Sequence, residues 1–192
     1  GQSKPARFAI PNAGSFLIVA YALAGIWVEG TVRNWGIIYL RDGYGALEWQ
    51  AALALPAMML TQTIGRFAAA GWVTRYGDVS VARALGVVVL LGVTVLAVSQ
   101  STGLALIGFA LIGLGLSTIF PQSISAAARW GDRPAGTNVA AFSTLQTLLS
   151  FITPVAVGFV AELIGLRATW LLFLPLIALS LYLARILKPR PI

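Results

Sequence analysis

The sequence has no cysteine and no histidine. Their absence excludes disulfides, thiolate nucleophiles, imidazole bases and the usual zinc sites. Charge is scarce as well: Asp, Glu, Lys and Arg make up 10% of the chain, against 58% hydrophobic residues. A soluble domain carries roughly 25% charged residues. So few charges cannot cover a water-facing surface, and the composition predicts an integral membrane protein with the lipid bilayer as its first partner. The net charge is +7, yet no basic run interleaved with aromatics accompanies it, so a nucleic-acid partner is not expected. Residue 1 is Gly rather than Met, and the chain is expected to be a piece of something longer.

What is present is a series of long apolar runs. A polar, basic stretch at 1–12, with Lys4, Arg7, Pro5 and Pro11, is expected to be a cytoplasmic lead-in or linker. Six spans follow, at about 13–40, 47–74, 81–98, 103–122, 137–162 and 166–187, and a basic tail closes the chain at 188–192. Each span has roughly the 20 residues a bilayer requires. The turn at 41–46 is expected from Asp42-Gly43 and Gly45, and Pro56, Pro121, Pro154 and Pro175 are expected to kink or bend their spans. The third span is almost wholly aliphatic, the pattern of a lipid-facing scaffold. Gly108, Gly113 and Gly115 in the fourth allow close helix approach. Trp49, Trp130 and Trp170 fall near span ends, where interfacial anchors sit.

With six spans both ends lie on one side. Nine Lys and Arg fall on that side (Lys4, Arg7, Arg75, Arg83, Arg129, Arg133, Arg185, Lys188, Arg190) and three on the other (Arg33, Arg41, Arg167). The positive-inside rule then puts both termini in the cytoplasm, and a bacterial inner membrane is the expected setting.

Residues 15–40 hold the most unusual feature: Glu29 and Arg33 four apart inside an apolar span, with Asn34, Trp27, Trp35 and Tyr39 around them. An ionisable residue in a span is costly and suggests a functional site. At about 1.5 Å rise per residue, Glu29 is expected roughly 6–8 Å outward of the midplane. Gln62 and Gln146 are expected near the midplane, and Arg66 roughly 9 Å inward. Glu29 and Arg66 would then be too far apart to pair, which leaves Arg33, one helical turn away, as the partner.

Gly65-Arg66-Phe67 followed by Gly71, Arg75, Tyr76 and Gly77 resembles the loop motif of the major facilitator superfamily, between the second and third helices of each six-helix half. Thr74 stands where the family has Asp, and Asp78 where it has a basic residue. Glu29-Gly30, Asn34-Trp35 resembles the family's seventh helix, and Gly113, Gly115 and Pro121 resemble its tenth. The resemblance covers essentially the whole chain and implies the C-terminal half, helices seven to twelve. It implies an all-α membrane protein: six transmembrane helices as two inverted three-helix repeats, half of a major-facilitator fold. It further implies a partner half (same gene, separate chain or a second copy) and a small-molecule substrate. The first, second, fourth and fifth helices would line a central cavity.

The candidates for substrate cavity or coupling are Glu29, Arg33, Asn34, Trp27, Tyr21, Gln62, Gln146 and Gln122. The gating-loop candidates are Gly65, Arg66, Arg75, Gly77 and Asp78. Each has a bland alternative. Glu29 can be a structural partner of Arg33, the glutamines interhelical glue, and the aromatics packing or interface anchors. Arg66 can bond helix-end carbonyls, and Asp78, Asp132 and Glu162 can be solvated loop charges. With no His or Cys, and no pair of carboxylates at one depth, no catalytic residue, metal site or cofactor is expected, and the protein is not expected to be an enzyme. The functional expectation is half of a secondary active transporter working by alternating access, with Glu29 a candidate proton-coupling group and symport or antiport both open. The alternative is a non-transporting half-length membrane subunit that scaffolds or assembles a complex.

Overall fold

A computed structural model describes residues 10–188. The lead-in at 1–9, the tail at 189–192 and their charges Lys4, Arg7 and Arg190 lie outside the described residues. Within them the fold is all helical, without strands. In chain order the helices are α1 (Ala13–Tyr44), α2 (Glu48–Ala51), α3 (Ala54–Tyr76), α4 (Asp78–Val98), α5 (Thr102–Leu116), α6 (Ile119–Ala128), α7 (Ala135–Ile164), α8 (Leu166–Thr169) and α9 (Phe173–Leu183). Short 3-10 turns follow α8 and α9. Five stretches are long and apolar enough to cross a membrane: Ala13–Tyr44, Asp78–Val98, Thr102–Ala128, Ala135–Ile164 and Leu166–Leu187. The remaining long helix, α3, has 23 residues, enough length for a bilayer, but Thr61, Gln62, Thr63 and Arg66 dilute its apolar character.

The helix ends correct several expected boundaries. The turn placed at 41–46 begins only at Gly45, because α1 runs on through Tyr44. Gly45 adopts φ 62°, and its N–H bonds the Leu40 carbonyl, capping the helix. The second span starts at Ala54 instead of 47, and the fourth continues, interrupted, to Ala128 instead of 122. Proline explains the late start and the interruption. Pro56, Pro121 and Pro175 each occupy the third position of a helix: α3, α6 and α9. A proline has no N–H for the carbonyl four residues back, and its ring collides with that carbonyl. The irregular backbone therefore falls three to five residues before each of these prolines, at Ala52–Leu53, Ser117–Thr118 and the 3-10 turn Trp170–Leu172. Among the described residues only Pro154 sits inside a continuous helix, α7.

The core is built where α5 lies between α3 and α4, and where α1 packs on α7 and α9. Gly113 lets α3 and α5 meet almost backbone to backbone: a Cβ there would sit 2.0 Å from the Met58 carbonyl oxygen. The Thr61 hydroxyl crosses the same seam to the Ala110 carbonyl at 2.7 Å. Helices α1 and α7 touch at two further glycines. A Cβ at Gly30 would lie 2.9 Å from Thr153 Cγ2, and one at Gly158 would lie 2.7 Å from the Trp35 ring. α4 buries Leu85, Val89, Val93 and Leu96 and turns Val87, Leu91 and Val98 outward.

Trp170 is not an interfacial anchor. It is 0% exposed and meets Tyr39, Phe109 and Phe173 edge to face, with ring centroids 5.7, 6.1 and 5.8 Å away. Tyr39 bonds the Leu96 carbonyl, and Tyr44 bonds Ser99 in the α4–α5 turn. This aromatic knot ties the end of α1 to α4, α5 and α8. Trp170→Ala is expected to cost about 3–5 kcal/mol, the usual range for emptying a buried aromatic site. Trp49, which is 64% exposed, should be replaceable by alanine with little effect. Thermal unfolding of the two variants in detergent checks this, and equal midpoints would contradict the packing described.

Candidate functional site

A cleft lined by five of the candidate residues, Glu29, Arg33, Asn34, Arg66 and Gln146, has a volume of about 350 Å³ and opens beside the middle of α1. α1 contributes Gly25, Ile26, Glu29, Gly30, Arg33 and Asn34 to its wall, α3 contributes Arg66, and α7 contributes Phe142, Gln146 and Ser150. Leu116 of α5 and Ile119 and Phe120 of α6 complete it; α4 and α9 contribute nothing.

Glu29 is its most heavily bonded polar group. The Arg33 guanidinium donates to Glu29 Oε1 through Nε at 3.1 Å and Nη2 at 2.6 Å. Gln62 Nε2 donates to the other oxygen, Oε2, at 3.3 Å. Their four-residue spacing puts Glu29 and Arg33 on one face, so the pair follows from helical periodicity. The side chains are 28% and 45% exposed, half in the protein and half in the cleft. Asn34 Nδ2 donates to the Gly30 carbonyl at 2.7 Å.

α1 is longer than expected, and Glu29 lies at the middle of Ala13–Tyr44. α3 starts later than expected, so Arg66 lies one residue from the middle of Ala54–Tyr76. Both therefore line one cleft, although no ion pair joins them among the described residues. The Gln62 contact to Glu29 was missed for the same reason.

Three cavity candidates stand elsewhere. Tyr21 is 2% exposed and its hydroxyl bonds Gln122 Oε1 at 3.3 Å. Gln122 in turn donates to the Asp78 carbonyl at 3.0 Å and to Asp78 Oδ1 at 3.4 Å. Trp27 faces a groove between α1, α7 and α9, lined by Val157, Thr169, Phe173 and Leu176. Trp35 fills the notch at Gly158 instead of lining the cleft.

The gating-loop residues divide between two places. Gly65 abuts Ser117, where a Cβ would lie 2.6 Å from the hydroxyl, and Arg66 lines the cleft. Gly77 makes the α3–α4 turn with φ 82°, and Arg75 stacks over the Tyr76 ring at 5.3 Å. Asp78 is no solvated loop charge. It accepts from Gln122 and lies 3.5 Å from Arg129 Nη2, and Arg129 also donates to Ser125 Oγ at 2.6 Å and to the Leu187 carbonyl at 3.4 Å. Asp132 likewise accepts from Asn12 and Asn138, fastening the start of α1 to that of α7.

The chain is similar to an uncharacterized transporter of Sinorhizobium fredii, with 32% identity over 179 residues that cover 93% of this chain and 48% of the relative. It is also similar to an uncharacterized MFS-type transporter of Yersinia pestis, with 25% identity over 163 residues that cover 85% of this chain and 42% of the relative. The chain thus spans about half the length of the curated relatives it matches. No family model and no solved structure matches it.

Proposed function

Because this chain belongs to the major facilitator superfamily, we propose that it forms one six-helix half of a secondary active transporter for a small molecule. The half is the C-terminal one, helices seven to twelve, built as two inverted three-helix repeats with both termini in the cytoplasm. The observation that carries this reading is the cleft. A carboxylate, two guanidiniums and two amides from α1, α3 and α7 converge midway along helices of membrane-spanning length. Polar groups so placed are costly in a bilayer unless they line a water-filled or ligand-filled path. The second half closes the cleft from its open side, and rocking of one half on the other exposes it alternately to the two sides of the membrane. Glu29 carries the coupling proton, and Arg33 and Gln62 are the groups that position its carboxylate.

The test uses the full-length protein reconstituted in liposomes with a pH-sensitive dye inside. A panel of small carboxylates, amines, polyols and amides is added on the acidic side. Transport requires that at least one compound drive proton entry and exchange with its own labelled form. If no compound does either, the non-transporting subunit replaces this reading.

A further inference from the structure

The chemical class of the transported molecule follows from the charge of the cleft, an inference that rests on reading the cleft as the transport site. Its wall holds one carboxylate, Glu29, against two guanidiniums, Arg33 and Arg66. Each oxygen of Glu29 has a partner: Arg33 takes one and Gln62 the other. Arg66 is left over, with no carboxylate in ion-pair contact among the described residues. A guanidinium keeps its charge at any relevant pH and presents a planar fork of donors matched to an oxyanion. An uncompensated charge midway along a membrane helix calls for a counter-ion.

The rest of the wall narrows the choice. Ile26, Leu116, Ile119, Phe120 and Phe142 make much of the wall apolar, and Gln146 and Asn34 add amides to it. A polyol finds too few polar partners on so apolar a wall to replace its lost water. A cation finds the only carboxylate of the wall already paired. A polyanion brings more charge than Arg66 can cancel. The volume of about 350 Å³ lies at the small end of ligand pockets, which run to about 300–1,000 Å³. We propose that the cleft takes a small organic monoanion with an apolar body, its carboxylate or equivalent oxyanion on Arg66 and its body against Phe120 and Phe142.

The test measures binding to the full-length protein in phosphatidylcholine nanodiscs by thermal unfolding and titration calorimetry. The probes are hexanoate and benzoate, their neutral amides hexanamide and benzamide, and hexylammonium. The carboxylates are expected to bind at least about tenfold tighter than the amides, with hexylammonium not binding. Arg66→Gln should remove that preference, and Arg66→Lys should keep part of it, as a point charge without the fork. The carboxylate-to-amide ratio in the unaltered protein needs no variant, so the proposal stays exposed even if Arg66→Gln fails to fold. Equal binding of acids and amides overturns it, and means that a carboxylate elsewhere in the longer protein neutralises Arg66. It is also overturned if phosphatidylglycerol in the nanodisc abolishes carboxylate binding, since a lipid headgroup then owns the site. Carboxylate binding without exchange across liposomes upholds the anion site and sinks the transport reading. Exchange of neutral compounds without any carboxylate preference does the reverse.

Discussion

On the proposed coupling role, Glu29→Gln is expected to leave the full-length protein able to exchange its substrate but unable to accumulate it. Glutamine keeps the shape of the side chain and a hydrogen-bonding oxygen for Gln62, but it cannot bind and release a proton. With one proton per substrate, a gradient of about one pH unit supplies about 1.4 kcal/mol, a tenfold concentration ratio. That ratio should fall to about one in the variant, while counterflow of labelled substrate persists. Accumulation unchanged from the parent would remove Glu29 from the coupling role.

The groups facing Glu29 also fix the direction of the linkage. They are Arg33 on its own helix, Gln62 and Arg66 from α3, and Gln146 and Ser150 from α7; α5 and α6 bring only apolar side chains to the cleft. A proton on Glu29 frees Arg33 and raises the positive charge of the wall. The proton and an organic anion should therefore favour each other's binding, by the same factor in both directions. Glu29→Gln mimics the protonated state and should bind hexanoate more tightly than the parent does. Weaker binding would mean that Arg33 and the anion do not communicate.

A large loss of stability is also expected from Gly113→Ala. The added methyl would have to occupy space 2.0 Å from the Met58 carbonyl and 2.4 Å from Thr61 Oγ1. A flexible side chain could swing aside, but the backbone of α3 cannot. The helices must separate along the seam, which also strains the bond from Thr61 to the Ala110 carbonyl. Overpacking usually costs about 1–3 kcal/mol, and with backbone as the obstacle the upper end or beyond is expected. Gly71→Ala is the matched control. Nothing lies within 4 Å of a Cβ there, so the better helix propensity of alanine should stabilise α3 by up to about 1 kcal/mol. Thermal unfolding of both variants in detergent tests the pair. A Gly113→Ala midpoint equal to that of the parent would show that α3 and α5 do not meet as described.

Much of this was legible in the sequence because membrane helices announce themselves by length and hydropathy. The Glu29–Arg33 pair was legible too, since a four-residue spacing needs no tertiary knowledge. What was not legible depended on where helices stop. Pro56, Pro121 and Pro175 marked disturbances, but the break appears three to five residues earlier, around the carbonyl the ring displaces. Moving the ends of α1 and α3 moved their midpoints, and with them the estimated depths of Glu29, Gln62 and Arg66. Trp170 looked like a boundary residue because it falls near a span end; only the arrival of Tyr39 and Phe109 from other helices makes it core. Tyr21 and Gln122 had the right chemistry for a cavity, but their partners, each other and Asp78, lie 101 and 44 positions away.

The two glycine contacts between α1 and α7 bear on how such a cleft can change shape. Each helix lends a notch to the other: Gly30 receives Thr153, and five residues further along both chains Gly158 receives Trp35. The helices therefore run the same way and are cross-keyed at two points roughly 7.5 Å apart along their axes. Sliding one past the other drives a Thr or a Trp out of its slot and into a neighbour with a side chain. Tilting the pair together disturbs neither key. Within this half, α1 and α7 then travel as one blade. The carboxylate and guanidinium of α1 keep a fixed distance from Gln146 and Ser150 of α7. Any widening of the cleft within this half has to come from the walls that α3, α5 and α6 supply.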